Sequence, residues 1–114
     1  MILIADDDDS LRRSLARHLR AAGHAVIEAT NGKHALDVLR EHEIDILLTD
    51  ITMPDLDGVE LLRQVRELNP DVPVILMTGL PAISTAMKAV QYGASDYLTK
   101  PLDLEKLDDS IRRA

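Results

Sequence analysis

Five short apolar runs, each followed by apolar residues at helical spacing, constrain the fold of this chain more than any other feature of it. Ile2 to Ala5 is the first run, and Leu11, Leu15, Leu19 and Ala22 then mark one face of a helix. Gly23 is placed to close that helix. Ala25-Val26-Ile27 reads as a second strand and Asn31-Gly32 as a turn, with Ala35, Val38 and Leu39 on a second helix. Ile44 to Thr49 is the third strand, before a helix with Leu61, Leu62, Val65 and Leu68. Val72 to Met77 is the fourth, before Ile83, Ala86, Met87 and Val90. A brief Tyr97-Leu98 strand and a helix with Leu104, Leu107 and Ile111 complete the pattern.

Strand–helix units in this number predict an α/β domain over residues 1–114, with a mainly parallel sheet, right-handed crossovers and helices on both faces. The strands are continuous apolar runs, as expected where both sheet faces are covered. Two doubly wound strand orders compete. The glycines at 23, 32, 58, 79 and 93 never adopt the G-x-G-x-x-G spacing of a dinucleotide turn, so a flavodoxin-like (βα)5 order, 2-1-3-4-5, is expected. That order puts the first and third strands side by side at the switch point, where ligands bind beyond the carboxyl ends.

Composition excludes several functions. A formal charge of −7 argues against a nucleic-acid surface on this domain, and two Tyr with no Phe or Trp leave no base-stacking platform. With no cysteine there is neither a disulfide framework nor a thiolate metal site. Ile2 to Ala5 is too short for a signal-peptide core or a membrane span, and the cytoplasm is the compartment that fits.

The chemistry-bearing residues stand at the strand ends. The first strand ends in Asp6-Asp7-Asp8-Asp9, the third in Asp50, the fourth in Thr78 and the fifth in Lys100-Pro101. Asp8 and Asp9 precede a helix and are ordinarily read as turn formers or caps. Asp6, Asp7 and Asp50 differ, because the expected strand order gathers them. Like charges about 4 Å apart repel by roughly 4 kcal/mol at an effective dielectric near 20, so a cation, a shared proton or a function must justify the cluster. All-oxygen ligands without His or Cys suit a hard cation, Mg²⁺ above all. A divalent cation beside a carboxylate, an ammonium and a hydroxyl is equipment for phosphoryl transfer. Asp50 would be the nucleophile forming an aspartyl phosphate, with Mg²⁺, Lys100 and Thr78 each taking one phosphoryl oxygen.

Four segments then carry a family resemblance. Ile4-Ala5-Asp6-Asp7-Asp8, Leu48-Thr49-Asp50-Ile51-Thr52-Met53-Pro54-Asp55-Leu56-Asp57-Gly58, Met77-Thr78-Gly79 and Asp96-Tyr97-Leu98-Thr99-Lys100-Pro101 resemble the response-regulator receiver family along the whole chain. Met77-Thr78-Gly79 and Gly93-Ala94-Ser95-Asp96-Tyr97 are similar to the nitrogen-regulatory type in particular. The resemblance implies Asp50 as phosphoacceptor, Asp7 as direct Mg²⁺ ligand, Asp6 acting through metal-bound water, and the Thr52 backbone carbonyl as a further ligand. It implies that Thr78 and Lys100 contact the phosphoryl group, that the Lys100–Pro101 bond is cis, and that Thr78 and Tyr97 form the switch. Ala5 and Asp9 depart from the family's common residues, and the four-Asp run also admits the register Asp7/Asp8.

The implied function is a signalling module of a two-component system. It would accept phosphate from a sensor histidine kinase or phosphotransfer protein and catalyse only its own phosphorylation and dephosphorylation. Its output would reach an effector domain or partner through the face of the fourth helix, fifth strand and fifth helix, with homodimerisation left open. A chain ending at Ala114 reads as a stand-alone unit or as an N-terminal piece of a longer protein. The alternatives are a Mg²⁺-dependent phosphohydrolase with an aspartyl-phosphate intermediate and a phosphorylation-independent interaction module. Haloacid-dehalogenase-type hydrolases want a second Asp two residues after the nucleophile, where Thr52 stands. His18, His24, His34 and His42 lack ligand spacing and are expected at the surface, and Met53, Met77 and Met87 are expected to pack. Asp55-Leu56-Asp57-Gly58 does not make a calcium loop, because Met53 and Gln64 would occupy its first and last ligand positions.

Overall fold

The computed structural model describes residues 1–114 and alternates strand and helix throughout. The elements are β1 (Ile2–Ala5), α1 (Asp9–Ala21), β2 (Val26–Ala29), α2 (Gly32–Glu41), β3 (Ile46–Asp50), α3 (Gly58–Leu68), β4 (Val74–Thr78), α4 (Ile83–Gln91), β5 (Asp96–Thr99) and α5 (Leu104–Arg113). All strands are parallel, in the expected order β2-β1-β3-β4-β5. β3 and β4 begin two residues later than their apolar runs. Ile44 and Val72 are buried, but they lie before the strands, because pairing starts where Ile2 meets Ile46 and Leu47 meets Val74. An apolar run reports burial, whereas a strand is defined by its partner.

Alternation along each strand divides the interior into two layers. Leu3, Ala5, Leu47, Val74 and Leu76 pack with α2, α3 and the buried Ala89 of α4. Ile2, Ile4, Ile46, Leu48, Ile75 and Met77 pack with Leu15 and Leu19 of α1 and Leu107 and Ile111 of α5. Both faces are therefore dry, which is why the strands read as unbroken apolar runs.

Helix ends follow local chemistry. Asp8, Asn31, Asp57 and Asp103 are N-caps whose side chains accept backbone N–H groups of the first turn. Asn31 and Gly32 thus begin α2 rather than forming a separate turn. Gly23, at φ 97°, ends α1 with Gly23 N–H donating to Arg20 O and His24 N–H to Leu19 O, which is the Schellman pattern.

α4 is the exception. Its N-cap, Ala82, has no side-chain cap bond, and the only residue the helix buries is Ala89. Ile83, Met87 and Val90, expected to pack inward, are 81%, 67% and 82% exposed. Their spacing is helical, but the face they form turns to solvent. Met53 and Met77 are buried as expected. His24, His34 and His42 are exposed, while His18 is half-buried and bonds Asp108 Oδ1 of α5 at 2.9 Å.

Of the five glycines, Gly58 is the most closely approached. A Cβ built there would lie 2.3 Å from Asp50 O and 2.7 Å from Ile51 Cα, so α3 can start against the end of β3 only without a side chain. Gly58→Ala is expected to lose about 1–3 kcal/mol of stability, the usual cost of overpacking. Urea denaturation with an unchanged midpoint would refute this contact.

Candidate functional site

Sheet register brings the predicted carboxylates together. Ala5 pairs with Thr49, so the next residues, Asp6 and Asp50, emerge side by side from β1 and β3. Period-two alternation puts Ile2, Ile4 and Asp6 on one face, with Ile46, Leu48 and Asp50 beside them and Leu98 and Lys100 continuing the pattern. Thr78 follows Val74 and Leu76 on the opposite parity, toward the layer that contains α4.

Asp6 is fully buried and Asp50 is 6% exposed. The Lys100 ammonium lies 3.1 Å from Asp6 Oδ2 and 3.3 Å from Asp50 Oδ1, answering both at once. Asp7 is exposed, and one oxygen from each of Asp6, Asp7 and Asp50 lies within 4.8 Å of the others. Asp8 has a different task. Its Oδ1 accepts the Leu11 N–H at 3.1 Å as the cap of α1, and its own N–H donates to Asp6 Oδ1 at 2.9 Å.

Burial, together with the charge of Asp6, pushes the Asp50 carboxyl above its ordinary pKa, against the pull of Lys100 and the Thr52 N–H. Burial alone would lower Lys100, but the two carboxylates outweigh it and hold the ammonium above its ordinary value. The group is therefore a desolvated carboxylate, a fixed cation and an excess of negative charge. Three carboxylates facing one ammonium, with only oxygen donors, fit a hard divalent ion.

Around this centre, Thr52 is exposed in the β3–α3 loop. Thr78 is 1% exposed, and its Oγ1 accepts the Leu80 N–H at 3.0 Å. Tyr97 is half-buried, with its hydroxyl 2.8 Å from Thr85 Oγ1 and accepting the Ala82 N–H at 3.3 Å. Tyr97 thus supplies the cap that α4 lacks from its own sequence. The Lys100–Pro101 peptide is cis, as the resemblance implied.

Two supports escaped the sequence reading. Asp55 accepts the Gly32 and Lys33 N–H groups at 3.2 and 3.0 Å, tying the β3–α3 loop to the start of α2. Arg12 is buried, and its guanidinium donates to the Asp6 carbonyl at 3.0 Å. Nothing in the local sequence marks either one, since an Asp in a loop and an Arg in a helix are common at solvated surfaces.

Comparison with known proteins agrees with this fold. Residues 2–112 match the response regulator receiver domain family. The transcriptional regulatory protein ZraR of Klebsiella oxytoca is 42% identical over 113 residues, covering 99% of this chain and 26% of that protein. The chain therefore spans about a quarter of the length of that curated relative. Among solved structures, the beryllofluoride-activated NtrC4 receiver domain dimer is 32% identical with a TM-score of 0.92, covering 98% of this chain and 93% of its own. A response regulator protein from Burkholderia pseudomallei, with a phosphorylated aspartic acid, calcium ion and citrate, is 31% identical with a TM-score of 0.89. It covers 96% of this chain and 64% of its own.

The raised pKa of Asp50 has a consequence for stability. Between the ordinary carboxyl value, about 3.9, and the raised value, the folded protein keeps a proton that the unfolded chain has released. Stability therefore falls as pH rises through that window and stays lower above it. Asp50→Asn cannot ionise, so at pH 7 without divalent cations it is expected to be more stable than wild type, with a flatter pH profile. A denaturation midpoint equal to or below that of wild type would contradict the assignment of strain to this carboxylate.

Proposed function

The chain belongs to the response regulator receiver domain family of two-component systems, and from that premise we propose that it takes a phosphoryl group onto Asp50 from a histidine kinase or phosphotransfer protein. The observation that carries this reading is the cluster itself: the Asp6, Asp7 and Asp50 oxygens within 4.8 Å, and the Lys100 ammonium 3.3 Å from Asp50.

In the forward step an Asp50 oxygen attacks phosphorus, the P–N bond to the donor imidazole breaks, and the departing nitrogen takes a proton. The fixed Lys100 ammonium neutralises an oxygen of the transferring group. The Thr78 hydroxyl, now bonded to Leu80 N–H, would turn to a second. Asp7, Asp6 through water, Asp50 and the Thr52 carbonyl are the groups that would hold Mg²⁺, which when bound would neutralise charge on the transferring group. The phosphorylated Asp and calcium ion named for the Burkholderia pseudomallei neighbour support both halves of the proposal. The chain would thus catalyse only its own phosphorylation and dephosphorylation. A phosphohydrolase of the dehalogenase type lacks its acid/base here, because Thr52 stands in that place.

The setting proposed is cytoplasmic, and no helix is long and apolar enough to cross a membrane. The effector is reached through the face of α4, β5 and α5, with transcriptional control the output suggested by ZraR and with no nucleic acid bound by this domain. A homodimer is supported by the beryllofluoride-activated NtrC4 receiver domain dimer, and the same face is proposed to form it on phosphorylation.

Incubation with a small-molecule phosphodonor and Mg²⁺ is expected to add one acid-labile, hydroxylamine-sensitive phosphoryl group, and Asp50→Asn is expected to abolish it. Stoichiometric labelling of the variant at another residue, read by mass spectrometry, would sink the assignment. The switch is tested separately. Tyr97→Ala removes the hydroxyl tether on the start of α4 and should leave phosphorylation intact while association loses its dependence on phosphate. Coupling that survives in this variant, followed by sedimentation, would exclude Tyr97 as the relay.

A further inference from the structure

We propose that Arg12, which lies outside every motif that carries the family resemblance, is a positioning residue for the metal site: it fixes the peptide plane from which Asp7 projects toward Asp50. The inference rests on reading the acidic cluster as a divalent-cation site.

Arg12 lies in the first turn and a half of α1, and its side chain is 6% exposed. Nη1 donates to the Asp6 carbonyl at 3.0 Å and to Asp9 Oδ1 at 2.6 Å, while Nε donates to Glu28 Oε1 at 3.2 Å. One rigid fork thereby joins the end of β1, the first residue of α1 and the neighbouring strand β2. Stability alone does not call for such a group, since replacing a buried ion pair with apolar residues of similar volume is often neutral or stabilising. Three acceptors on three elements do call for a planar donor with several N–H groups.

The acceptor that matters is the Asp6 carbonyl. Every polar group of Asp6 is committed: its N–H to Ala29 O at 3.1 Å, its Oδ1 to the Asp8 N–H, its Oδ2 to Lys100, and its carbonyl to Arg12. Asp7 is the opposite case, exposed and held by no side-chain bond. Its direction depends on the backbone that delivers it. The peptide joining Asp6 and Asp7 is planar, so anchoring the Asp6 carbonyl orients the plane in which the Asp7 Cα lies. Arg12 anchors that plane through the Asp6 carbonyl, and Asp9 and Glu28 hold the guanidinium in place.

Charge and position make opposite predictions here, which gives a clean test. A guanidinium near an acidic pocket repels an incoming cation, so deleting it should tighten Mg²⁺ binding if charge alone mattered. Positioning predicts the reverse, a loss of about tenfold in affinity, as for other groups that orient metal ligands. Mg²⁺ affinity of the unphosphorylated protein is to be measured by isothermal titration at fixed ionic strength for wild type, Arg12→Met, Arg12→Lys, Asp7→Asn and the double variant Arg12→Met/Asp7→Asn. Folding of each is checked by circular dichroism.

Weaker binding in Arg12→Met and Arg12→Lys, with no further loss when Arg12→Met is added to Asp7→Asn, is the expected result. Arg12→Lys keeps the charge and loses only the fork, so it decides the matter if Arg12→Met fails to fold. Unchanged or tighter binding in the folded Arg12 variants, alongside a loss in Asp7→Asn, overturns the positioning role alone. Unchanged binding in Asp7→Asn overturns the reading of the cluster as a metal site.

Discussion

The ammonium of Lys100 stands between Asp6 and Asp50, and the rest of the site is arranged around that one cation. Two buried carboxylates on adjacent parallel strands would repel each other strongly in a medium less polarisable than water. Lys100 meets both with a single positive charge, which cannot cancel two negative ones, and Asp7 adds a third negative group at the rim. The sheet edge is left with a fixed cation and a residual demand for positive charge. Lys100 comes from the loop after β5, at the far side of β4 from Asp50, so its reach depends on β1, β3, β4 and β5 being in register.

That arrangement is stiff where chemistry needs it and loosens toward α4. β1, β3 and β4 are buried at every position, and α1, α2, α3 and α5 each have a polar N-cap. α4 is held chiefly at its ends. At its C-terminal end Arg66 of α3 donates to Tyr92 O at 3.0 Å and Gly93 O at 2.8 Å, with a third bond to Val72 O at 2.6 Å. At its N-terminal end the tether is the Tyr97 hydroxyl. A helix that buries one residue and borrows its cap from a neighbouring strand is a low-stability element. Thr78 leads into that helix through Gly79-Leu80-Pro81, so a rearrangement of its hydroxyl would be felt there first.

Much of this was legible in advance because it is local. The five strand–helix units, the strand order and the gathering of Asp6, Asp50, Thr78 and Lys100 at the carboxyl ends of the strands follow from period, turn chemistry and the absence of a glycine-rich turn. What escaped the reading has a common character. The exposure of Ile83, Met87 and Val90 could not be seen, since periodicity shows that a helix has an apolar face but not that a second element covers it. Asn31-Gly32 carries the composition of a turn, and only the His34 N–H bonded to Asn31 Oδ1 at 2.8 Å makes it a helix start.

By itself, then, the order of residues determined the elements, their layering and the identity of the groups at the carboxyl edge of the sheet, because these depend on neighbours along the chain and on side-chain alternation. Tertiary structure decided which aspartate of the run faces the pocket, which one caps a helix and which buried arginine grips the backbone between them. It also decided that α4 presents its apolar face outward. Each of these is a contact between residues distant in sequence, or a side chain's choice between equally good local partners, and a linear pattern holds no record of distance in space.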